Sequence, residues 1–267
     1  MTSRGFTLIE LLVAMALLST LTAAGLASLV RARNVWQDAG VQARLHERAQ
    51  YVFATLEPEL QMAGFFGGAL PPPALAATTI PTAALSCGLD LVRRIDIPVE
   101  VHPSFDLPCP AHGTGAMPAS QLLVVRRASA QLAEPLAGRG QWWGAAAPAA
   151  SGELVWNGTP VLTTPAPEPR DLLLRVYYVA RAADGDTATP ALRMKSLSAI
   201  AGIPAFIDTE VMPGVESLQA QLLPSASAPQ RVRVTLQVSA DHADLRASRT
   251  PRHIVATRQF TLRNAAP

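Results

Sequence analysis

The sequence predicts an α+β fold, a long N-terminal helix packed on an antiparallel β-sheet. Three observations carry that prediction. Phe6 to Val30 is an apolar run interrupted by a single charge, Glu10; apolar residues recur at spacings of three and four between Val41 and Leu60; and residues 231–240 alternate apolar with polar. A period near 3.6 reads as a helix with one buried face, and a period of two as a half-buried strand.

The run from Phe6 to Val30 would measure roughly 37 Å at helical rise, against a hydrocarbon layer of about 30 Å, and is long enough to span it. A secretory signal peptide needs only about 7–15 apolar residues, a more basic leader and a cleavage site behind them. The short leader Met-Thr-Ser-Arg-Gly therefore predicts that the run is retained as an anchor. An acid at mid-bilayer costs about 2.5–3.5 kcal/mol on insertion scales, so Glu10 needs a cationic or donating partner. The competing reading places it at the helix start, favoured by the dipole and snorkelling to the interface.

Beyond the run, residues 30–64 continue as a helix whose stripe of Val41, Leu45, Ala49, Val52, Leu56 and Leu60 should face a sheet. Pro58 lacks a donor and clashes with the carbonyl of Ala54, predicting a kink or break near Glu57. The helix is thus expected over Phe6–Glu57, with Gly64 ending any remaining turn. Residues 65–88, with a proline triplet and many small side chains, predict loop or extended chain. Strands are predicted at 121–128, 171–180, 192–197, 216–223, 231–240 and 258–264, while the Pro/Gly/Ala-rich stretches 133–152 and 163–169 read as surface loops. The clearest strand alternates Val232, Val234, Leu236 and Val238 with Arg231, Arg233, Thr235 and Gln237, which suits a sheet covered on one side by the helix.

At 267 residues and 49% hydrophobic composition, the chain beyond the anchor can form one ample domain, with room for two lobes. The net charge of +2 and scattered arginines lack the dense basic stripe of a nucleic-acid binder, so no such partner is inferred. Arg4 precedes the apolar run and Arg31 and Arg33 follow it, so the count of basic residues leaves its orientation open.

Cys87 and Cys109 would close a loop of about 23 residues, for which the chain-entropy relation gives roughly 3–3.5 kcal/mol. A disulfide leads; a Cys2His2 metal set with His102 and His112, and free thiols, are the alternatives. Trp142 and Trp143, in a glycine-rich context expected to be a loop, read either as interface anchors or as plugs at the sheet's edge. Asp241, His242 and Asp244 have the residue types of an acid/base or metal site but read as a solvated turn, and 183–190 as a hairpin loop. No Gly-x-Ser-x-Gly, Walker A or His-Glu-x-x-His pattern supports an enzyme.

Gly5-Phe6-Thr7-Leu8-Ile9-Glu10 resembles the type III signal of type IV pilins and type II secretion pseudopilins. The resemblance implies a pilin-like fold, no cofactor or metal, and cleavage after Gly5 by prepilin peptidase. It also implies methylation of the new amino terminus at Phe6 and a neutralising contact between Glu10 and the amino terminus of a neighbouring subunit, which would offset the cost of burying that charge. Glu10 could instead meet Phe6 of its own chain, four residues back.

"ARLHERAQYVFATLEPELQMAGFFG" (43–67) is similar to the stretch that follows the anchor in PilW-type minor pilins, and 212–223, 231–240 and the closing "QFTLRN" resemble that family's C-terminal half. What this implies is a leader at 1–5, a membrane and assembly helix at 6–30, an amphipathic helix at 31–63 and a periplasmic β-rich domain at 64–267. The implied partners are other minor pilins, the major pilin and inner-membrane lipid, and the implied location is the bacterial inner membrane, then the pilus. A J-type pseudopilin of type II secretion would share these features; a membrane-anchored periplasmic enzyme or binding protein is the reading from another class.

Overall fold

The computed structural model describes residues 7–67, 75–78, 80, 85–113, 115–134, 137–144, 152–157, 168–181, 189–200, 202–225, 229–240 and 253–264. Helix α1 (Leu8–Gln61) is a single element of 54 residues. The break expected at Pro58 does not occur, and the helix ends at Gln61 rather than Glu57. Pro58 forfeits one bond to the preceding turn, yet Met62 N–H still donates to the Pro58 carbonyl at 3.1 Å. Leu56, Glu59 and Leu60 around it are buried. Packing of that last turn outweighs the proline cost, which is about 3 kcal/mol in a helix interior.

The elements that follow are β1 (Leu75–Thr78), α2 (Leu89–Arg93), β2 (Val99–His102), β3 (Leu122–Ala128), β4 (Ala137–Gly144), β5 (Gly152–Asn157), β6 (Glu168–Arg181), β7 (Pro190–Ile200), β8 (Ile203–Pro213), β9 (Val215–Leu223), β10 (Arg231–Ser239) and β11 (His253–Thr261). The six expected strands are present, although β11 begins at His253 and ends at Thr261 rather than spanning 258–264. The tract 133–152, expected as loop, contains β4, and β1 is an extended piece of 65–88, where loop or extended chain is expected. Residues of β4 pair with β5 on one side and β6 on the other, so sheet hydrogen bonding overrides the weak strand propensity of its glycine-rich sequence.

Instead of one sheet there are two. The larger has eight strands, with the path β1-β5-β4-β6-β3-β2 and a branch in which β7 pairs with β6 and β8 with β7; the smaller is β11-β10-β9. Among the described residues all strand pairings are antiparallel except β1 with β5. Strand β6 is long enough to take β4 along 168–171 and β7 along 175–181.

Two hydrophobic cores result. In the first, the α1 stripe from Val41 to Leu60 packs on Val232, Val234, Leu236 and Val238 of the small sheet and on one face of the large sheet. The second lies on the large sheet's other face and includes the disulfide lobe. Strand β3 serves both: Leu123 and Val125 enter the first core, Leu122 and Val124 the second. Its uninterrupted apolar run is that of a strand buried on both faces.

Candidate membrane and assembly segment

The start of α1 is closed by its own side chains. Thr7 is the N-cap, its Oγ1 accepting from the Glu10 N–H at 3.4 Å, while the Glu10 carboxylate accepts from Thr7 N–H at 3.2 Å and from Thr7 Oγ1 at 3.1 Å. This capping box satisfies helix donors that would otherwise face solvent or lipid without a partner. It also puts the acid at the positive end of the helix dipole. Of the sequence-derived site residues here, Gly5 and Phe6 lie outside the described residues.

From Thr7 to Gln37 every residue is exposed, although the segment is predominantly apolar. It is a helix long and apolar enough to cross a membrane. Its hydroxyls fit an apolar surrounding: Ser19 Oγ donates to the Ala16 carbonyl at 2.8 Å, Thr20 Oγ1 to Leu17 at 2.8 Å and Thr22 Oγ1 to Leu18 at 2.9 Å. A hydroxyl bonded back to its own helix needs no outside partner. At Val41 the character changes, and the next two turns bury Leu45 and Ala49 against the domain.

The packed half of α1 is fastened by charges that sequence reasoning missed. Glu59, buried at the end of the stripe, accepts from Arg127 Nη2 at 2.9 Å, Arg127 Nε at 3.1 Å and Arg175 Nη1 at 2.7 Å. Tyr177 lies beside this cluster; burial, then the Glu59 charge, pushes its hydroxyl up to about 12. The segments "EPELQ" and "RVYYV" offered no direct sign of this pairing, because Glu59 and Arg175 are 116 residues apart. One available signal was a glutamate set within the apolar stripe.

Cys87 and Cys109 form a disulfide. The alternative metal set is not assembled, since both sulfurs are spent in that bond and His102 Nδ1 instead lies 3.0 Å from Asp106. The lobe is tied to β3 by Arg126, whose buried guanidinium donates to the carbonyls of Leu91 and Ile97 and to Glu100 Oε2 at 2.8, 3.0 and 2.9 Å. Burial lowers its pKa from the ordinary arginine value, and Glu100 opposes that shift.

On β6–β8, Asp208 accepts from Tyr178 Oη, from Arg193 Nε at 2.8 Å and from Lys195 Nζ at 2.8 Å. Burial pushes the Asp208 carboxyl up, but the bonds from Lys195, Tyr178 and Arg193 prevail and hold it below the usual value. Tyr178 is raised, by burial first and by the bond to Asp208 second. These bonds tie side chains of β6 and β7 to Asp208 of β8, and Tyr178 Oη also accepts from the His112 N–H.

Trp142 and Trp143 are not in a loop. Their backbones lie in β4, with Trp142 opposite Leu154 and Arg170 and Trp143 opposite Glu153 and Pro169, inside the sheet rather than at its edge. Asp241, His242 and Asp244 lie outside the described residues, between strands β10 and β11, which pair down to Ser239 and His253. Residues 183–188 likewise lie outside them, while β6 and β7 pair across Arg181 and Pro190 as a hairpin requires.

Residues 1–26 match the prokaryotic N-terminal methylation motif. Neither a curated protein nor a solved structure matches the chain. The motif supports a type IV pilin-like or pseudopilin protein and implies prepilin peptidase and pilin assembly partners. It points to a structural, non-enzymatic role, and with the apolar N-terminal helix it is consistent with inner-membrane anchoring.

Proposed function

We propose that this chain is a minor pilin of a type IV pilus, of the PilW type, acting in assembly initiation or in the tip complex and so in twitching motility and adhesion. The observation that carries this reading is the methylation motif running directly into one helix that is bare for its first half and sheet-packed for its second. In this reading residues 1–5 are a leader removed after Gly5, Phe6 becomes the methylated amino terminus, and residues 6–30 hold the chain in the inner membrane. Residues 31–63 then carry a periplasmic domain formed by 64–267. The mechanism is packing rather than catalysis. A lipid-exposed helix loses little on exchanging lipid for neighbouring helices, so partner choice falls to polar contacts. Glu10 is the residue assigned to that choice at the membrane, with Trp142 and Trp143 as candidate interface residues.

Mass spectrometry of the amino-terminal peptide tests the first step: the expected product begins with methylated Phe6, and a mature chain retaining Met1 to Gly5 overturns the reading. A J-type pseudopilin of type II secretion would pass the same test. Co-purification from a piliated strain separates the two, since a minor pilin is recovered with pilus subunits and a pseudopilin with secretion subunits.

A further inference from the structure

We infer that Trp36, supported by Arg31 and Arg33, is an interfacial anchor that binds the phospholipid headgroup layer and sets how far the folded domain stands from the bilayer. The inference rests on the membrane-spanning reading of residues 6–30. Trp36 is 80% exposed, more than any other large apolar side chain among the described residues, and Val35 beside it is 65% exposed. Its own domain cannot cover it: Trp36 lies nine positions before the buried Leu45, which on an α-helix is about half a turn away from the sheet-facing side. It lies seven positions after Leu29, itself 68% exposed, and therefore continues one face of the apolar run.

Length decides what meets that face. With the Thr7–Glu10 box at one boundary of the hydrocarbon, the helix from Glu10 to Val30 rises roughly 30 Å, the thickness of the apolar layer. The Trp36 backbone is then about 9 Å further out, and helical side chains lean toward the N-terminus, which brings the indole back toward the headgroups. Tryptophan favours that zone because its ring is apolar and its N–H seeks a polar partner. Arg31 and Arg33 occupy the intervening turn, and both are exposed. Their positive charge is complementary to anionic headgroups.

The test uses the full chain reconstituted in phosphatidylcholine/phosphatidylglycerol vesicles. Subtracting the emission of Trp36→Phe from that of the parent isolates the Trp36 signal. That signal is expected to be blue-shifted, shielded from acrylamide, and quenched about twofold more by lipids brominated near the headgroup than by lipids brominated near the chain end. Exchanging phosphatidylglycerol for phosphatidylcholine, or Arg31→Gln with Arg33→Gln, should move it toward red emission. A red, acrylamide-accessible signal in the parent overturns the inference. A blue signal that no brominated lipid quenches also overturns it, assigning the residue to contact between protein chains. Leu18→Trp in the Trp36→Phe background separates the two readings. Quenching of that probe by deep bromines keeps the span and leaves the Trp36 result to stand by itself, whereas its absence sinks the span and the anchor together.

Discussion

The first and second halves of α1 belong to one unbroken helix, yet they are stabilised by different means. Residues 7–37 are apolar around most of the circumference and exposed throughout, while residues 41–60 bury a narrow stripe and leave Tyr51 and most of their charged neighbours outside. An all-round apolar helix must be covered by lipid or by other helices, whereas a one-sided helix is covered by its own domain. Helical propensity does not separate the halves; what differs is who supplies the surrounding. Substitutions in the second half should therefore register in the folding of the domain, and substitutions in the first half only in membrane and assembly behaviour.

The largest expected contrast uses Phe53, which is 2% exposed and meets Phe260 in a tilted contact with ring centroids 6.0 Å apart. Phe53→Ala should lower domain stability by about 3–5 kcal/mol through lost burial and the cavity left behind. Leu18→Ala, in the bare half, should leave it within about 0.5 kcal/mol. Thermal melts of the full chain in detergent, followed by near-ultraviolet dichroism, make the comparison. Equal shifts for both variants would mean that the halves do not differ as described.

Next comes the disulfide, which acts far from α1. Replacing Cys87 and Cys109 together by Ser opens a loop whose ends are 22 positions apart, and should cost about 3 kcal/mol by the chain-entropy relation. The damage should concentrate in the second core. Hydrogen exchange should therefore accelerate at Leu91, Val92 and Val124 well before it does at Val52 and Leu56.

Third is the ionic fastening at the far end of the helix. Glu59→Gln leaves Arg127 and Arg175 facing a neutral amide in a site where the glutamate side chain is 6% exposed. Loss of one partner of a buried pair costs up to about 3–5 kcal/mol, and the partial exposure of Arg175 reduces this to about 2–3 kcal/mol. The same melts should show the loss, and adding Arg175→Gln should cost less than the sum of the two changes, because the pair is coupled.

These residues also show why some of the architecture was legible in the sequence and some was not. The α1 stripe and β10 were readable because their patterns are local: each buried residue lies within four positions of the next. The cysteine pair was readable because a closed loop needs only two named ends. The role of Glu59 was hidden, since its partners lie 68 and 116 positions away and a local rule reads a glutamate as solvent-facing. Strand β4 was hidden for a related reason, its glycines having no side chains to pack and its stability coming from two flanking strands. Pro58 misled because a propensity rule priced the lost hydrogen bond without the burial around it. The amino-terminal motif was the reverse case, a short local pattern that the processing machinery itself must read.

An effect smaller at each pH step should come from alkaline conditions. Tyr177 titrates near 10 when unfolded and near 12 in the fold, so above pH 10 the unfolded chain gives up its proton first and is favoured. Stability attributable to this group is intact below pH 10 and should fall by about 1.4 kcal/mol for each pH unit up to about 12. Tyr177→Phe should flatten that part of the profile, measured as the difference between the two proteins' melting curves at pH 9, 10, 11 and 12. A parallel decline in both would assign the alkaline loss to other groups.

The smallest expected effect on folding, and the sharpest test of the comparison, is Glu10→Gln. Glutamine can still accept from Thr7 N–H at the helix start, so the cap is weakened rather than removed and the cost should be under about 1 kcal/mol, confined to the first turn. The sheet-packed half, beginning at Val41 more than 40 Å along the helix, should melt unchanged. Assembly should respond differently if the acid's charge is used between subunits. Loss of that charge removes an attraction which, in low dielectric, no other residue of the apolar run can replace. Processing to Phe6 should persist while recovery of the variant with its assembly partners drops. Unchanged recovery beside an unchanged melt would leave the Thr7 box as the whole of Glu10's work, making it a helix cap for the bare half and not a contact between chains.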